Sequence, residues 1–410
     1  MLSAELVTVS ADPAGMDADA ALAIGRVLER EGCPIRARRV VPDEEEAVER
    51  ALRQAAAEGG LVVAVGGADG AGTLRQALAR CLGSRLVLSS RALDALTSAY
   101  AGRGQALPGR AEQMALVPQG AAVVTLAEPG EPGLLAEMGS AVILVVPTVP
   151  AVAVALARAH LLPRLERAGA GPVVLVRTLR LVGLDIATAE AQLQAALRGA
   201  DGASGHVIGG GEECWARLRL RADSRAGVET AFGALEPALR DAFGAAWYGV
   251  DDETLEVVVG RLLRARRLTV ALAESCTGGL VGHRLTQVAG SSAYFERGFV
   301  VYSNEAKQAL LGVPESVLRQ HGAVSAACAE SMARGARERA STDVGVSVTG
   351  IAGPDGGTPT KPVGTVFVGL ADRQRAVVER HRFDRDREGN KALSAVHALD
   401  LLRRHCLGVS

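Results

Sequence analysis

Short apolar runs, many of them rich in β-branched residues, alternate along this chain with stretches of helical periodicity. Residues 4–9 and 61–65 are two such runs, and residues 18–31 and 44–58 between them have the spacing of amphipathic helices. This alternation predicts parallel strands covered by helices, the architecture of the α/β class. A chain of 410 residues exceeds what one hydrophobic core usually holds, so we expect several domains.

The same pattern divides the chain into three predicted domains. Residues 1–170 repeat the alternation and form an α/β N-terminal domain. Residues 171–247 have shorter strand and helix patterns that fit a small βαββα middle module. Residues 250–410 return to longer alternation, and we expect a three-layer α/β/α domain there.

Composition excludes several functional classes. Aromatic residues make up 3% of the chain and the formal net charge is -1, so neither a base-stacking platform nor a basic surface is indicated. We therefore expect no nucleic-acid partner. The six cysteines stand singly, without a CxxC pair, and no metal or cofactor is predicted.

One uncharged segment, residues 139–156, is long enough to suggest a membrane helix. Pro147 and Pro150 interrupt it, and residues 141–146 are rich in β-branched side chains. A buried strand, a turn and a helix are therefore predicted instead. The first nine residues also lack the pattern of a signal peptide, so we expect a cytoplasmic protein with no membrane partner.

The segment most informative about chemistry is AESCTGG, residues 273–279, between a buried apolar run and a helical stretch. Ser275 is predicted at the carboxyl edge of a sheet, where α/β proteins usually bind ligands. It can act there as a nucleophile, but Ser275 or Thr277 can equally be a helix N-cap. Cys276 is the rival nucleophile. No histidine is placed to activate it, so we interpret Cys276 as a small buried residue.

Two further side chains are predicted at the same sheet edge. Tyr302 ends an apolar run, and Lys307 follows about one turn into the next helical stretch. A lysine kept neutral by burial can take a serine proton, and a tyrosine hydroxyl can assist. The alternative for Lys307 is an ordinary exposed helix lysine.

A glycine-rich run and an arginine complete the pattern. The run TGIAGPDGG, residues 349–357, follows a buried strand and is typical of a backbone cradle for a ligand, although a plain hairpin loop is the alternative. Arg387 precedes the last helical stretch and can bind a phosphate there.

Five ordered motifs in residues 251–410 resemble the C-terminal domain of the CinA family of competence/damage-inducible proteins, which also occurs alone as the nicotinamide-nucleotide amidase PncC. The motifs are AESCTGG, GSSAYFERGFVVYSNEAK, HGAVS, TGIAGPDGG and KPVGTV. The resemblance implies hydrolysis of nicotinamide mononucleotide to nicotinic acid mononucleotide and ammonia. It also implies Ser275 as nucleophile, Lys307 as base and Tyr302 as the partner of Lys307.

The resemblance also suggests how the substrate is held. Backbone N–H groups would bind the developing oxyanion, and they come from one of two segments: Thr277, Gly278 and Gly279, or Gly350, Ala352 and Gly353. Arg387 would bind the phosphate, although the family usually has Gly-Asp-Arg where this chain has Arg385-Asp386-Arg387. A homodimer is expected.

The N-terminal region resembles, more distantly, the molybdopterin-binding-like domain of the same family. In the family this domain suggests a metal-dependent pyrophosphatase, which needs clustered carboxylates. Only Asp12 and Asp69 remain where the family has acidic clusters, so we expect this activity to be lost. Two alternatives stay open: a retained ADP-ribose pyrophosphatase, or a non-catalytic, competence-associated binding protein.

Overall fold

The computed structural model describes residues 2–10, 18–66, 72–167, 173–210 and 213–409. The chain divides into two compact units, residues 1–176 with 219–234 and residues 177–218 with 235–410. The division into three domains near residues 170 and 250 stays a prediction. Asp12 and Asp69 lie outside the described residues.

Residues 2–167 alternate strands and helices, as predicted. In chain order the elements are β1 (Ala4–Ser10), α1 (Ala18–Arg30), β2 (Ile35–Pro42), α2 (Glu45–Ala57), β3 (Gly60–Val65), α3 (Thr73–Cys81), β4 (Leu86–Leu88), α4 (Ser90–Gly102), α5 (Ala111–Met114), β5 (Leu116–Pro118), β6 (Ala122–Val124), β7 (Gly133–Met138), β8 (Ala141–Val146) and α6 (Pro150–Arg167). One sheet has the order β2-β1-β3-β8-β7-β6, in which β2, β1, β3 and β8 run parallel and β7 pairs antiparallel with both neighbours. β4 and β5 form a separate antiparallel pair.

Strand β3 shows why this sheet is buried on both faces. Val62 and Ala64 belong to the apolar cluster that contains α2 and α3, whereas Leu61 and Val63 belong to the cluster that contains α1 and α6. Successive strand residues point to opposite faces, so a strand between two helical layers must be apolar throughout. The predicted α/β class is confirmed for this region.

The uncharged segment forms the predicted strand, turn and helix. β8 ends at Val146, and Pro150 is the first residue of α6, a position that proline tolerates because its missing N–H is not needed there. Within the described part of the chain, no helix combines the length and apolar character that crossing a bilayer requires.

The middle of the chain has the predicted βαββα order. Its elements are β9 (Val173–Val182), α7 (Ile186–Ala196), β10 (Ala203–Gly210), β11 (Glu213–Ala222), α8 (Arg225–Phe243), a 3₁₀ turn (Gly244–Ala246) and β12 (Trp247–Val250). The sheet order is β10-β11-β9-β12. The short strand β12, which pairs antiparallel with β9, was not predicted.

The C-terminal region builds a second α/β sandwich. Its elements are α9 (Leu255–Arg266), β13 (Val270–Glu274), α10 (Leu280–Thr286), a 3₁₀ turn (Ser291–Ala293), β14 (Phe295–Val300), α11 (Asn304–Leu311), α12 (Glu315–His321), α13 (Ala326–Ala340), β15 (Val344–Gly350), β16 (Thr365–Ala371), β17 (Ala376–Arg382) and α14 (Arg387–Leu407). The sheet order is β14-β13-β15-β16-β17. β14, β13 and β15 are parallel, and β16 and β17 add antiparallel pairs.

Helices cover both faces of this sheet, as predicted for a three-layer domain. On β13, Val270 and Leu272 pack in the cluster with α9 and α14, whereas Ala271 and Ala273 pack in the cluster with α11 and α13. Parallel strands end at a common edge. The carboxyl ends of β13, β14 and β15 therefore bring three of the sequence motifs together.

Candidate functional site

Ser275 follows the last residue of β13 and begins a tight turn. Its backbone N–H donates to the Val348 carbonyl at 2.9 Å, which ties the turn to β15. Gly278 (φ +63°) and Gly279 (φ +98°) then adopt left-handed conformations that favour glycine, and α10 begins at Leu280. The Ser275 side chain is nearly buried and, as described below, faces Lys307 rather than the amide groups of the helix.

The residue that caps α10 is Glu274, which sequence reasoning missed. Its carboxylate is buried and accepts hydrogen bonds from the N–H groups of Gly279 (2.9 Å), Val281 (3.1 Å) and Gly282 (2.8 Å). The first N–H groups of any helix have no hydrogen-bond acceptor within the helix itself. Because Glu274 occupies them, the N-cap alternative for Ser275 and Thr277 does not hold here.

Lys307 meets Ser275 at the floor of the site. The lysine is 1% exposed, and its Nζ lies 3.2 Å from Ser275 Oγ. Nζ also donates to the carbonyl oxygens of Val301 at 2.8 Å and Tyr302 at 3.4 Å. A neutral amine has two N–H bonds and one lone pair, so with both carbonyls satisfied the lone pair is left for the Ser275 hydroxyl.

The surroundings of Lys307 favour that neutral form. Burial lowers the pKa of the Lys307 amine below its usual value, and the nearby thiols of Cys328 and Cys276 and the Glu305 carboxylate offset part of this shift. Desolvation disfavours a charged group, so a buried lysine loses its proton more readily than an exposed one. The exposed-lysine alternative for Lys307 is therefore wrong.

Cys276 points into the hydrophobic core instead. It is 5% exposed and belongs to the apolar cluster beneath α9 and α14. Burial raises the pKa of its thiol to about 12, so the reactive thiolate is scarce near neutral pH. This arrangement favours Ser275 over Cys276 as the nucleophile.

Tyr302 and Arg387 form a bridge at the mouth of the site. Tyr302 is 62% exposed, and its hydroxyl accepts a hydrogen bond from Arg387 at 3.0 Å. A second guanidinium nitrogen of Arg387 donates to the Gly353 carbonyl at 2.6 Å. The backbone carbonyl of Tyr302, not its hydroxyl, contacts Lys307.

The glycine-rich loop after β15 is held by Asn390, another residue that sequence reasoning missed. Asn390 is fully buried, and its Nδ2 donates to the carbonyls of Ala352 (3.0 Å) and Arg385 (2.9 Å). With Ala352 and Gly353 held through their carbonyls, their N–H groups donate no hydrogen bond within the described residues. Gly278 and Gly279 differ, because their N–H groups already donate to the Ser275 carbonyl and to Glu274.

A second cation, Lys391, stands beside the Ser275 turn. Its Nζ lies 3.8 Å from the point where a Cβ on Gly278 would sit. Neither a hydrogen bond nor an ion pair engages Lys391 among the described residues. Nearby, Thr277 Oγ1 is buried and, within the same described part, has no hydrogen-bond partner. The turn thus presents an uncommitted amine and an uncommitted hydroxyl.

Lysine is rare in this chain. Of its 45 basic residues, three are lysines: Lys307, Lys361 and Lys391. All three lie in the C-terminal region, and two of them border Ser275 or its turn. Lys361 donates from Nζ to the His321 carbonyl at 2.8 Å. Arginine cannot be neutral in a protein, whereas a buried lysine can, so the buried amine of Lys307 can do what none of the arginines can.

The N-terminal and the C-terminal regions each match a known protein family. Residues 252–406 match the family model "CinA C-terminal domain", and residues 4–167 match the model "Probable molybdopterin binding domain". A CinA-like protein of Geobacter sulfurreducens is 40% identical over 419 aligned positions, covering 99% of this chain and 97% of that protein. A CinA-like protein of Salinibacter ruber is 39% identical and covers 93% of each chain.

Solved structures also match part of the chain. The competence/damage inducible protein CihA from Agrobacterium tumefaciens is 41% identical, with a TM-score of 0.36, and covers 36% of this chain and 91% of that one. The full-length relatives and both family models agree with the resemblance inferred from the motifs. The chain belongs to the CinA family, with a molybdopterin-binding-like N-terminal domain and a CinA C-terminal domain.

Proposed function

We propose that the C-terminal region is a nicotinamide-nucleotide amidase that hydrolyses nicotinamide mononucleotide to nicotinic acid mononucleotide and ammonia. The observation that carries the proposal is the 3.2 Å contact between Ser275 Oγ and the buried Lys307 amine. A serine and a base within hydrogen-bond reach are the signature of an activated nucleophile. Serine–lysine pairs are known variants of this arrangement.

In the first half of the reaction, neutral Lys307 takes the proton of the Ser275 hydroxyl as Oγ attacks the carboxamide carbon. The tetrahedral intermediate collapses when the protonated amine returns that proton to the departing nitrogen. Ammonia leaves, and an ester joins Ser275 to the nicotinoyl group. In the second half, Lys307 removes a proton from water, which attacks the ester. The protonated amine returns that proton to Ser275 Oγ as the ester bond breaks, and the nicotinic acid group loses its own proton to solvent as the carboxylate product.

The oxyanion needs N–H donors that are not already engaged. In the first segment considered from sequence, the N–H groups of Gly278 and Gly279 are committed to the Ser275 carbonyl and to Glu274, which leaves that of Thr277 among the described residues. The second segment offers two uncommitted N–H groups in succession, so we assign the oxyanion to Ala352 and Gly353. In this proposal, Arg387 and Asn390 fix the carbonyls of that loop and so orient its amides.

The proposed amidase activity has a direct test. The purified chain is incubated with nicotinamide mononucleotide, and ammonia release is followed together with formation of the acid nucleotide. Free nicotinamide serves as the control, since it carries the same amide without the ribose phosphate. Absence of ammonia release under conditions where the chain is folded would leave the non-catalytic binding alternative as the better account.

The homodimer expected from sequence stays a prediction. Light scattering of the purified chain would measure its oligomeric state.

The sequence suggested Arg387 for the substrate phosphate, but its guanidinium already donates to Gly353 and Tyr302, so we propose the uncommitted Lys391 amine as the phosphate ligand instead. Lys391→Met should then weaken recognition of that phosphate. Losing a charged hydrogen bond costs about 1.5–3 kcal/mol, so KM for nicotinamide mononucleotide should rise roughly 10- to 100-fold while kcat changes little. Nicotinamide riboside, which lacks the phosphate, is the matched control substrate. Its kcat/KM should be the same for the wild-type and the Lys391→Met proteins. Equal losses for the two substrates would show that Lys391 does not recognise the phosphate.

The N-terminal domain is proposed to lack metal-dependent pyrophosphatase activity. One aspartate in each altered motif is too few for a divalent site that needs clustered oxygen ligands. The full-length chain, incubated with ADP-ribose and Mg²⁺, Mn²⁺ or Co²⁺, should form no AMP above the rate of metal alone. Formation of AMP at enzyme-like rates, abolished in Asp69→Ala, would restore the pyrophosphatase alternative.

A further inference from the structure

Two histidines and a glutamate converge between β17 and α14. Glu379 and His381 are two residues apart on β17 and so face the same side of the strand. His397 reaches them from α14 and is 6% exposed. One potential ligand atom from each of the three residues lies within 4.8 Å of the other two.

The Glu379 carboxylate of this cluster is held in position by two side chains. Its Oε2 lies 3.3 Å from His381 Nε2, and its Oε1 accepts a hydrogen bond from Arg404 at 2.8 Å. Arg404 also donates to Asp400 at 2.8 Å, so its charge is shared between two carboxylates. Arg404 contacts only Oε1, so Oε2 faces the His381 imidazole, and a cation bound by both would replace their direct contact.

The two imidazoles lie close together beside the ring of Phe383. The ring centroids of His381 and His397 are 4.0 Å apart with an interplanar angle of 37°, and Phe383 stacks against His397 at 5.3 Å. His381 Nε2 is shielded from solvent and makes no well-directed hydrogen bond among the described residues, although Glu379 is near. A ring nitrogen hidden from water beside a fixed carboxylate is a natural metal ligand.

We propose that Glu379, His381 and His397 form a binding site for a divalent cation of the zinc class. Two imidazoles and one carboxylate are a known zinc ligand set, with water as the fourth ligand, and Arg404 orients the carboxylate from outside. Tetrahedral zinc places its ligand atoms about 3.4 Å apart, so the widest pair must close by at most about 1.5 Å. The sequence did not indicate this site, because its three ligands lie on a strand and a helix that come together only in the folded domain.

The ion would stabilise the domain rather than take part in catalysis. His397 follows Arg387 by ten residues on α14, which is about 15 Å along the helix axis. A metal there fastens β17 to α14, the helix whose first turn carries Arg387, Asn390 and Lys391. The proposal does not depend on the amidase reaction.

Metal content and spectroscopy of the full-length chain test the site. After removal of metals with a chelator, we expect one equivalent of Zn²⁺ to be retained through gel filtration and to raise Tm. Co²⁺ should give the intense visible bands of tetrahedral coordination. His381→Asn and Glu379→Gln should each weaken Zn²⁺ binding roughly 100-fold or more, since even outer-shell partners are worth 10- to 100-fold.

The matched control is His405→Gln. This histidine is on the same helix and lies 3.9 Å from the Asp372 carboxylate, but it is not part of the cluster. It should bind Zn²⁺ as the wild-type chain does. Failure of the wild-type chain to retain Zn²⁺ would overturn the proposal. So would equal retention by wild type, His381→Asn and Glu379→Gln, because the metal would then be bound elsewhere. Circular dichroism verifies that each variant is folded.

Discussion

Ser275→Ala should abolish release of ammonia from nicotinamide mononucleotide while the protein stays folded. Oγ is the atom that forms the covalent bond in the proposed mechanism, and removal of a nucleophile costs roughly 10³- to 10⁶-fold in kcat. The substitution removes one oxygen from a nearly buried position whose backbone remains hydrogen-bonded to Val348. Coupled detection of ammonia measures the activity, and the unchanged thermal transition verifies the fold.

Cys276→Ala is the matched control for this experiment. The two residues are adjacent, but the Cys276 thiol is in the core and its pKa is raised by burial. We expect Cys276→Ala to keep most of the amidase activity and to lose some stability from the small cavity. An active Ser275→Ala protein together with an inactive Cys276→Ala protein would reverse the assignment of the nucleophile.

Lys307→Met should be nearly inactive, because no other described base contacts Ser275 Oγ. Lys307→Arg should be equally inactive, since a guanidinium keeps the charge but cannot accept the serine proton. Loss of a positioned general base costs about 10²- to 10⁴-fold. Near-normal rates in either variant would contradict the serine–lysine mechanism. Tyr302→Phe, which removes only the hydrogen bond to Arg387, should be impaired far less.

The pH dependence follows from the same lysine. The base must be neutral to act, so activity should fall as the pH drops below the pKa of Lys307, which burial lowers from its usual value. The exposed Glu305 carboxylate raises that pKa by favouring the protonated amine. Glu305→Gln should therefore move the acidic limb of the kcat/KM profile to lower pH. A limb that does not move, or moves upward, would show that another group controls it.

Local sequence was sufficient to predict the elements that carry the site. The apolar runs that became β13 and β15 are buried on both faces, and such runs are recognisable without any tertiary information. The approach of Ser275 to Lys307 followed from the shared edge of parallel strands. Family resemblance then favoured a catalytic role for Ser275, which stays a prediction, over a capping role.

The residues that support the site could not be predicted in this way. Glu274 looks like any acidic residue until the turn folds its carboxylate back onto the first amides of α10. Asn390 lies on a long helix, and only its tertiary neighbours reveal that it holds the Ala352 carbonyl. Lys391 has the spacing of an exposed helix lysine, and its place beside Gly278 depends on how α14 packs. Each role depends on contacts between segments distant in sequence.

The scarcity of lysine makes this protein unusually suited to amine-directed chemistry. Reductive methylation with ¹³C-labelled formaldehyde would attach reporters to only three side chains, Lys307, Lys361 and Lys391, in addition to the α-amino group. One of these amines is buried against the proposed nucleophile and one is unengaged beside its turn. In the unfolded chain all three amines would titrate alike. A difference between their methyl signals in the native chain therefore reports the effect of burial and not the intrinsic chemistry of the amine. A single titration of that spectrum would give the proton affinity of the proposed general base directly, without substrate and without a mutation.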